Sequence, residues 1–385
     1  MKKIVGLGFI VYLITAGVSY AIFSTDSPVS PSKTVQTKTA LLGKVDNDYE
    51  ALTFDPNQPK TEVCPLTGVK YGKDQKEWWK THRPLGVMIE NHVDSRPQSG
   101  INAADITYEA IAEGGITRTL NVYYCQDAGI IGPVRSARTY FLDLISEYGE
   151  YPLYAHVGGA NTPGPADALG QINEYGWQSY NDLSQFSIGF PTFKRDESRL
   201  GRDVATEHTM YSVTTKLWEV AAERKLTNID KEGKSWDESF TPYAFASSPR
   251  KGTAQKISIP WDASGYAVQW TYSAKDNAYL RNNGGTAHMD RNTNKQLSAV
   301  NVVVLFMRES HANDGYENNA HMLYGTTGSG DALVFVGGKE IQATWEKAER
   351  QSHLVLNDEN GKEITFNPGK IWFQVVGIGE AVTVN

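Results

Sequence analysis

The chain has 385 residues, 40% hydrophobic, 21% charged and 11% aromatic, a composition that supplies real cores and excludes global disorder. A formal net charge of −7 and a pI near 5.7 leave no cationic excess to neutralise a phosphate backbone, which speaks against a nucleic-acid partner. The length exceeds what one compact core usually organises and predicts two globular units with flanking segments.

Lys2 and Lys3 precede an uncharged apolar run over residues 4–23, about the length that crosses a bilayer hydrocarbon core. The lysines favour the cytoplasmic side, so the rest of the chain is expected outside it, as in an exported bacterial envelope protein. Ser19 and Ala21 offer a small-x-small pattern suited to cleavage, while the length of the run suits an uncleaved anchor. Residues 1–23 therefore read as a signal peptide or a membrane anchor. Residues 24–60 turn to Ser, Thr, Pro, Lys and Gln, with Pro28, Pro31, Pro56 and Pro59, and read as a disordered linker. As a flexible coil it would span about 35 Å, enough to hold a domain clear of a membrane surface.

Residues 61–232 are expected to form a mixed α/β domain. Residues 83–90 read as a buried strand, opened by Pro84 and running through Val87, Met88 and Ile89. Residues 106–112 and 119–125 read as two more, separated by a stretch that opens on Glu113-Gly114-Gly115, whose double glycine predicts a tight turn. The clearest helix follows: Ala137, Tyr140, Phe141, Leu144, Ile145 and Tyr148 share one stripe of a 3.6-residue period, with Ser136 as N-cap and Gly149 as stop. Residues 151–157 then read as a strand, 164–172 as a short helix, and 212–224 as another helix with Val213, Leu217, Val220 and Ala221 on one face. Strands that alternate with helices define the α/β class.

In residues 233–385 the helical period disappears. Strand-like runs at 254–259, 266–272 and 299–307 are followed by 333–336, 340–345, 353–356, 363–366 and 371–376, punctuated by Gly337-Gly338, Gly361 and Gly369. Many short strands with turn residues between them predict a sandwich or barrel. The expected class is α+β: a mixed α/β N-terminal domain followed by a smaller β-rich C-terminal domain.

Several stretches carry a specific resemblance. They are Pro65-Leu66-Thr67-Gly68, Arg83-Pro84 with Met88-Ile89-Glu90-Asn91-His92, Arg96-Pro97-Gln98-Ser99-Gly100, Ala104-Asp105-Ile106 with Tyr108-Glu109, Glu113-Gly114-Gly115-Ile116-Thr117-Arg118, and Ile131-Gly132-Pro133-Val134-Arg135-Ser136-Ala137-Arg138. The second segment adds Gly328-Ser329-Gly330, Trp345-Glu346-Lys347 and Asn367-Pro368-Gly369-Lys370 with Trp372. Together they resemble the YerB-like family of exported bacterial proteins, described mainly as candidate lipoproteins with N- and C-terminal domains of unknown function. The resemblance implies an α/β first domain joined to a small β-rich second one, and supplies no reaction. The chain departs from the lipoprotein pattern because no cysteine closely follows the apolar run, which favours a peptide anchor or a secreted form.

The two cysteines, Cys64 and Cys125, lie far apart without C-x-x-C spacing, so neither zinc nor a disulfide-dense scaffold is indicated. In an oxidising compartment they either pair or stay buried thiols, and both remain open. The sharpest candidate site is residues 131–138. A Gly132-Pro133 turn is expected to deliver Arg135 and Arg138 to the first turn of the helix capped by Ser136, where unpaired backbone N–H groups and the dipole favour an anion. Arg118, just past the double glycine, is placed to join them, and three guanidiniums suit a carboxylate or phosphate held in forked hydrogen bonds. The competing reading is internal, with Asp105, Glu109 and Glu113 neutralising these arginines in a structural network.

Glu109 and Glu113 also admit a paired-carboxylate reading for cell-wall glycan hydrolysis or transfer. His92, His156 and His208 are scattered without an H-E-x-x-H spacing, so neither a metal nor a cofactor is expected. Trp345, Trp372 and Phe373 read as core rather than as a sugar-stacking surface. No G-x-S-x-G, phosphate loop or G-x-G-x-x-G before a helix is present, which shifts the balance from catalysis toward binding. The expected function is non-catalytic binding, outside the cytoplasmic membrane, of an anionic small molecule or cell-wall component, or of an envelope protein partner. The ligand set is Arg118, Arg135, Ser136, Arg138, Glu109, Glu113 and Asp105, and the membrane is met only through the N-terminal segment. The alternatives are the glycan enzyme and a scaffold whose function is protein contact.

Overall fold

A computed structural model of the chain describes residues 50–252, 255–261 and 265–385, which fall within one compact unit. The expected signal or anchor at residues 1–23 and most of the linker at 24–60 lie outside the described residues.

In chain order the first segment supplies α1 (Lys73–Trp79), β1 (Leu85–Glu90), β2 (Ile106–Glu113), β3 (Ile116–Tyr123), α2 (Thr139–Ile145), β4 (Leu153–His156), α3 (Ala168–Glu174), β5 (Asp182–Ser184), β6 (Met210–Val213) and α4 (Thr214–Glu223). The second supplies β7 (Lys256–Ile259), β8 (Val268–Ser273), β9 (Ala278–Asn283), β10 (Asn301–Met307), β11 (Gly328–Val336), β12 (Lys339–Lys347), β13 (Val355–Asp358) and β14 (Ile371–Gly377), with shorter strands between.

β2 and β3 form a hairpin because Gly114 and Gly115 take φ of 55° and 77°, the left-handed pair that a tight two-residue turn requires. β3 then pairs antiparallel with β1, which has β4 and β5 parallel on its far side. This corrects the expected alternation of strands and helices in the first segment. Its centre is an antiparallel trio, the parallel pairing is confined to one side, and the helices are few and short among the described residues. The molecule combines α and β elements, with strands dominant.

The two sequence segments meet in one sheet. A ten-stranded sheet runs β13-β12-β11-β10-β14-β2-β3-β1-β4-β5, and β14 lies parallel to β2 with Ile371 opposite Ile106 and Gln374 opposite Glu109. Side chains alternate across this sheet, so neighbours on β2 face opposite layers. On the Tyr108 side lies α2, and the stripe read from the sequence is buried throughout, from Ala137 to Tyr148. Gly86 of β1 admits the helix closely, because a Cβ there would lie 2.7 Å from Ile145. Tyr108 Oη also lies 2.7 Å from Tyr148 Oη. On the Glu109 side lies the antiparallel sheet of β7, β8 and β9, where Trp270 packs edge-on against Trp372 with ring centres 5.1 Å apart. Trp345, Trp372 and Phe373 are core residues, as expected.

Cys64 and Cys125 form a disulfide with Cα atoms 6.0 Å apart, tying the chain ahead of α1 to the residues just past β3.

Candidate functional site

Past a cis Gly132–Pro133 peptide bond the segment 133–135 runs extended. It is strung between β1 and β6: Glu90 N donates to Pro133 O (3.0 Å), Arg135 N to Met88 O (2.9 Å) and Val134 N to Met210 O (2.7 Å). Gly132 takes φ of 138°, and a Cβ there would meet the Tyr211 ring at 2.9 Å and Met210 O at 3.0 Å. Ala137 N then donates to Gly158 O (2.9 Å), which prolongs the extended path to Arg138. This corrects the expected helix start. Arg138, not Ser136, is the N-cap, it makes no side-chain cap, and Arg135 lies outside the seven-residue helix. The N–H groups proposed to greet an anion are largely spent on strand-like bonds.

Two of the three predicted arginines close on a carboxylate of their own. Arg118 Nη2 lies 2.5 Å from one oxygen of Glu113, and Arg138 Nη2 bonds the other. Their remaining Nη1 atoms donate to Ser136 O (3.0 Å) and Ala137 O (2.8 Å). Burial alone would raise the Glu113 carboxyl, but Arg118 and Arg138, with Arg135 adding a smaller pull, outweigh it and hold it at about 2. This trio is the internal network, with side chains 3% and 5% exposed on the two arginines.

Glu109 does not join it. One oxygen accepts from Arg281 Nη2 (2.8 Å), Thr117 Oγ1 (2.8 Å) and Asn91 Nδ2 (3.4 Å), and the other from Gln374 Nε2 (2.8 Å) and Trp372 Nε1 (3.1 Å). Its side chain is 0% exposed, so it has no face for a sugar, and the paired-carboxylate reading is corrected on that ground. Asp105 is elsewhere again. Its Oδ2 accepts the N–H groups of Tyr124 and Cys125, both at 2.8 Å, beside the disulfide. Burial pushes its carboxyl up to about 7 against the pull of those bonds and of Lys370.

Arg135 is the exception. Its Nε sits 3.5 Å from Glu90 Oε1, its side chain is 28% exposed, and its guanidinium makes no hydrogen bond among the described residues. Glu90 ends β1 and is held from the other side by His208 Nδ1 at 2.9 Å, a hydrogen bond that raises the His208 pKa above its ordinary value. The His92 ring stacks on His208 at 4.7 Å, within 10° of parallel, and Asp94 and Arg202 complete the rim. The site therefore lies at the carboxyl end of β1. Glu90 and His208 are 118 positions apart, so no local spacing joins them. The available signal was the stretch Met88-Ile89-Glu90-Asn91-His92, which holds two members of the cluster.

Comparison with known proteins adds the family. Residues 66–227 match the N-terminal domain, and residues 257–373 the C-terminal domain, of a family described as "Protein of unknown function (DUF3048)". The chain is 28% identical over 334 residues to "Putative lipoprotein YerB" of Bacillus subtilis (strain 168), covering 86% of this chain and 91% of that protein. It is also similar to the crystal structure of the YerB protein from Bacillus subtilis, with a TM-score of 0.68 and 25% identity over 84% of this chain and 100% of that one.

Proposed function

This chain belongs to the DUF3048 family, which carries no assigned activity, and from that premise we propose that it binds an anionic group at Arg135 without turning it over. The ligand class is a phosphate- or carboxylate-bearing small molecule or cell-wall component, met outside the cytoplasmic membrane. One observation carries the reading. Arg135 is a partly exposed guanidinium with unspent donors, beside two arginines already consumed by Glu113. A charged donor in a half-buried corner favours an anion through charge-assisted, forked hydrogen bonds.

The relative named as a lipoprotein supports an extracytoplasmic, membrane-attached location. Both cysteines of this chain are paired with each other, so attachment through residues 1–23 is preferred to a lipid. No helix among the described residues is long and apolar enough to cross a membrane.

The test is equilibrium binding of phosphate-bearing wall precursors and muropeptides to the full chain in the presence of a chelator, with mass analysis of the recovered ligand. Arg135→Gln should weaken binding about tenfold to a hundredfold while leaving thermal unfolding unchanged, and the ligand should be recovered intact. Equal binding by the variant overturns the reading, and cleaved ligand replaces it with an enzyme.

A second reading, a surface for an envelope protein, is favoured by Phe186 and Phe190, which are 78% and 77% exposed. Phe186 lies 3.1 Å from where a Cβ on Gly158 would lie, one residue past Val157, whose N–H donates to Arg135 O (3.0 Å).

A further inference from the structure

We propose that His92, Asp94 and His208 form a binding site for a divalent transition-metal ion of the zinc class. One ligand atom from each lies within 4.8 Å of the other two. Bonds of about 2.1 Å around a tetrahedral ion place ligand atoms about 3.4 Å apart, so binding requires the ligand atoms to close by up to about 1.4 Å and the His92 ring to turn out of its parallel stack on His208. The two residues that must move are the accessible ones: Asp94 is 54% and His92 28% exposed at the side chain, whereas His208 is 6% exposed and held.

His208 is held in the way a metal ligand needs. Glu90 accepts from its Nδ1 at 2.9 Å, so the nitrogen offered to an ion would be Nε2, which makes no hydrogen bond among the described residues. A carboxylate behind the far nitrogen is the usual arrangement of metal-bound histidine, since it fixes the tautomer and strengthens the ligand. The His92 Nδ1 accepts only a long bond from Asp94 N (3.2 Å), a contact that a metal bond displaces. Two imidazoles and one carboxylate suit zinc and its neighbours, while calcium and magnesium demand oxygen-rich shells.

The surrounding charges divide. Asp94 and Glu90 favour a cation; Arg135, 3.5 Å from Glu90, and Arg202, 3.4 Å from Asp94, oppose it. Arg202 is 44% exposed; its Nη2 donates to Asp94 O (2.7 Å), and only the longer 3.4 Å contact of its Nη1 with the Asp94 carboxylate has to be given up when Asp94 turns to the ion. Three protein ligands leave a coordination position open on the same rim as Arg135. The proposal does not rest on the anion reading, because the ion is held without Arg135.

The experiment uses the full chain without a polyhistidine tag, stripped with a chelator and then titrated with Zn²⁺ by calorimetry and with Co²⁺ by visible absorption. One equivalent of Zn²⁺ should bind, and Co²⁺ should give the intense visible bands of a low-coordinate nitrogen site. His92→Ala and Asp94→Ala, both at accessible positions, should each weaken Zn²⁺ binding at least about tenfold with unchanged melting, and Glu90→Gln about tenfold to a hundredfold. Arg135→Gln should keep the metal, so this proposal and the anion reading fail separately. No stoichiometric uptake, or uptake undiminished in both His92→Ala and Asp94→Ala, overturns it.

Discussion

Five donors surround Glu109, and the nearest charge among them, Arg281 Nη2 at 2.8 Å, comes from a residue 172 positions away. Sequence reasoning identified Glu109 as a carboxylate with work to do but matched it to the arginines of its own segment, because pairing across so long a stretch leaves no local trace. Its substitution is therefore a stability experiment. Glu109→Gln leaves the fully buried Arg281 without a counter-charge and should lower unfolding stability by about 3–5 kcal/mol, read from denaturant midpoints. A change within experimental error would remove Glu109 from the core of this account.

Asp105 offers a second check. Its folded pKa of about 7, raised from 3.8 chiefly by burial, means that the folded state holds a proton that the unfolded chain has already released. The stability it contributes is complete below about pH 3.8 and is lost as pH rises through about 7. Relative to Asp105→Asn, which cannot titrate, the native chain should lose up to about 1.4 kcal/mol per pH unit across that window. Parallel pH profiles for the two proteins would contradict it.

At the scale of elements, the periodic signals survived and the boundaries moved. The α2 stripe was legible because burial follows the 3.6-residue period whichever residue begins the helix. Its start was not, because the bonds from Arg135 N to Met88 O and from Ala137 N to Gly158 O hold 133–138 extended, and these partners come from β1 and from beyond β4. The hairpin at Gly114-Gly115 was legible because two adjacent residues of positive φ leave little choice of residue type. The Cys64–Cys125 pair was left open by the sequence and is closed in the fold. It spans 61 positions, and by loop-closure entropy should contribute about 4 kcal/mol. Thermal melts with and without reductant, set against the double Cys→Ala variant, measure this directly; a melt insensitive to both would refute it.

For the whole molecule, two sequence patterns end in one sheet. The change of period near residue 233 marks a change of composition along the chain, yet β14 pairs with β2 through the middle of the ten strands. Hydrophobic periodicity reports local structure and says nothing of which distant strands will lie side by side, so the junction was invisible before folding. The same limit hid the corner of Glu90, His92, Arg135 and His208, drawn from three separate stretches. Of the arginine set named from the sequence, folding closes Arg118 and Arg138 on Glu113 and leaves Arg135 at the rim.

The most direct measurement is amide hydrogen exchange on the intact chain with and without a saturating phosphate-bearing wall precursor. Slowed exchange around residues 90–94, 134–137 and 206–209, abolished in Arg135→Gln, is the result this account predicts. Protection confined to other surfaces, or retained in full by the variant, would contradict it.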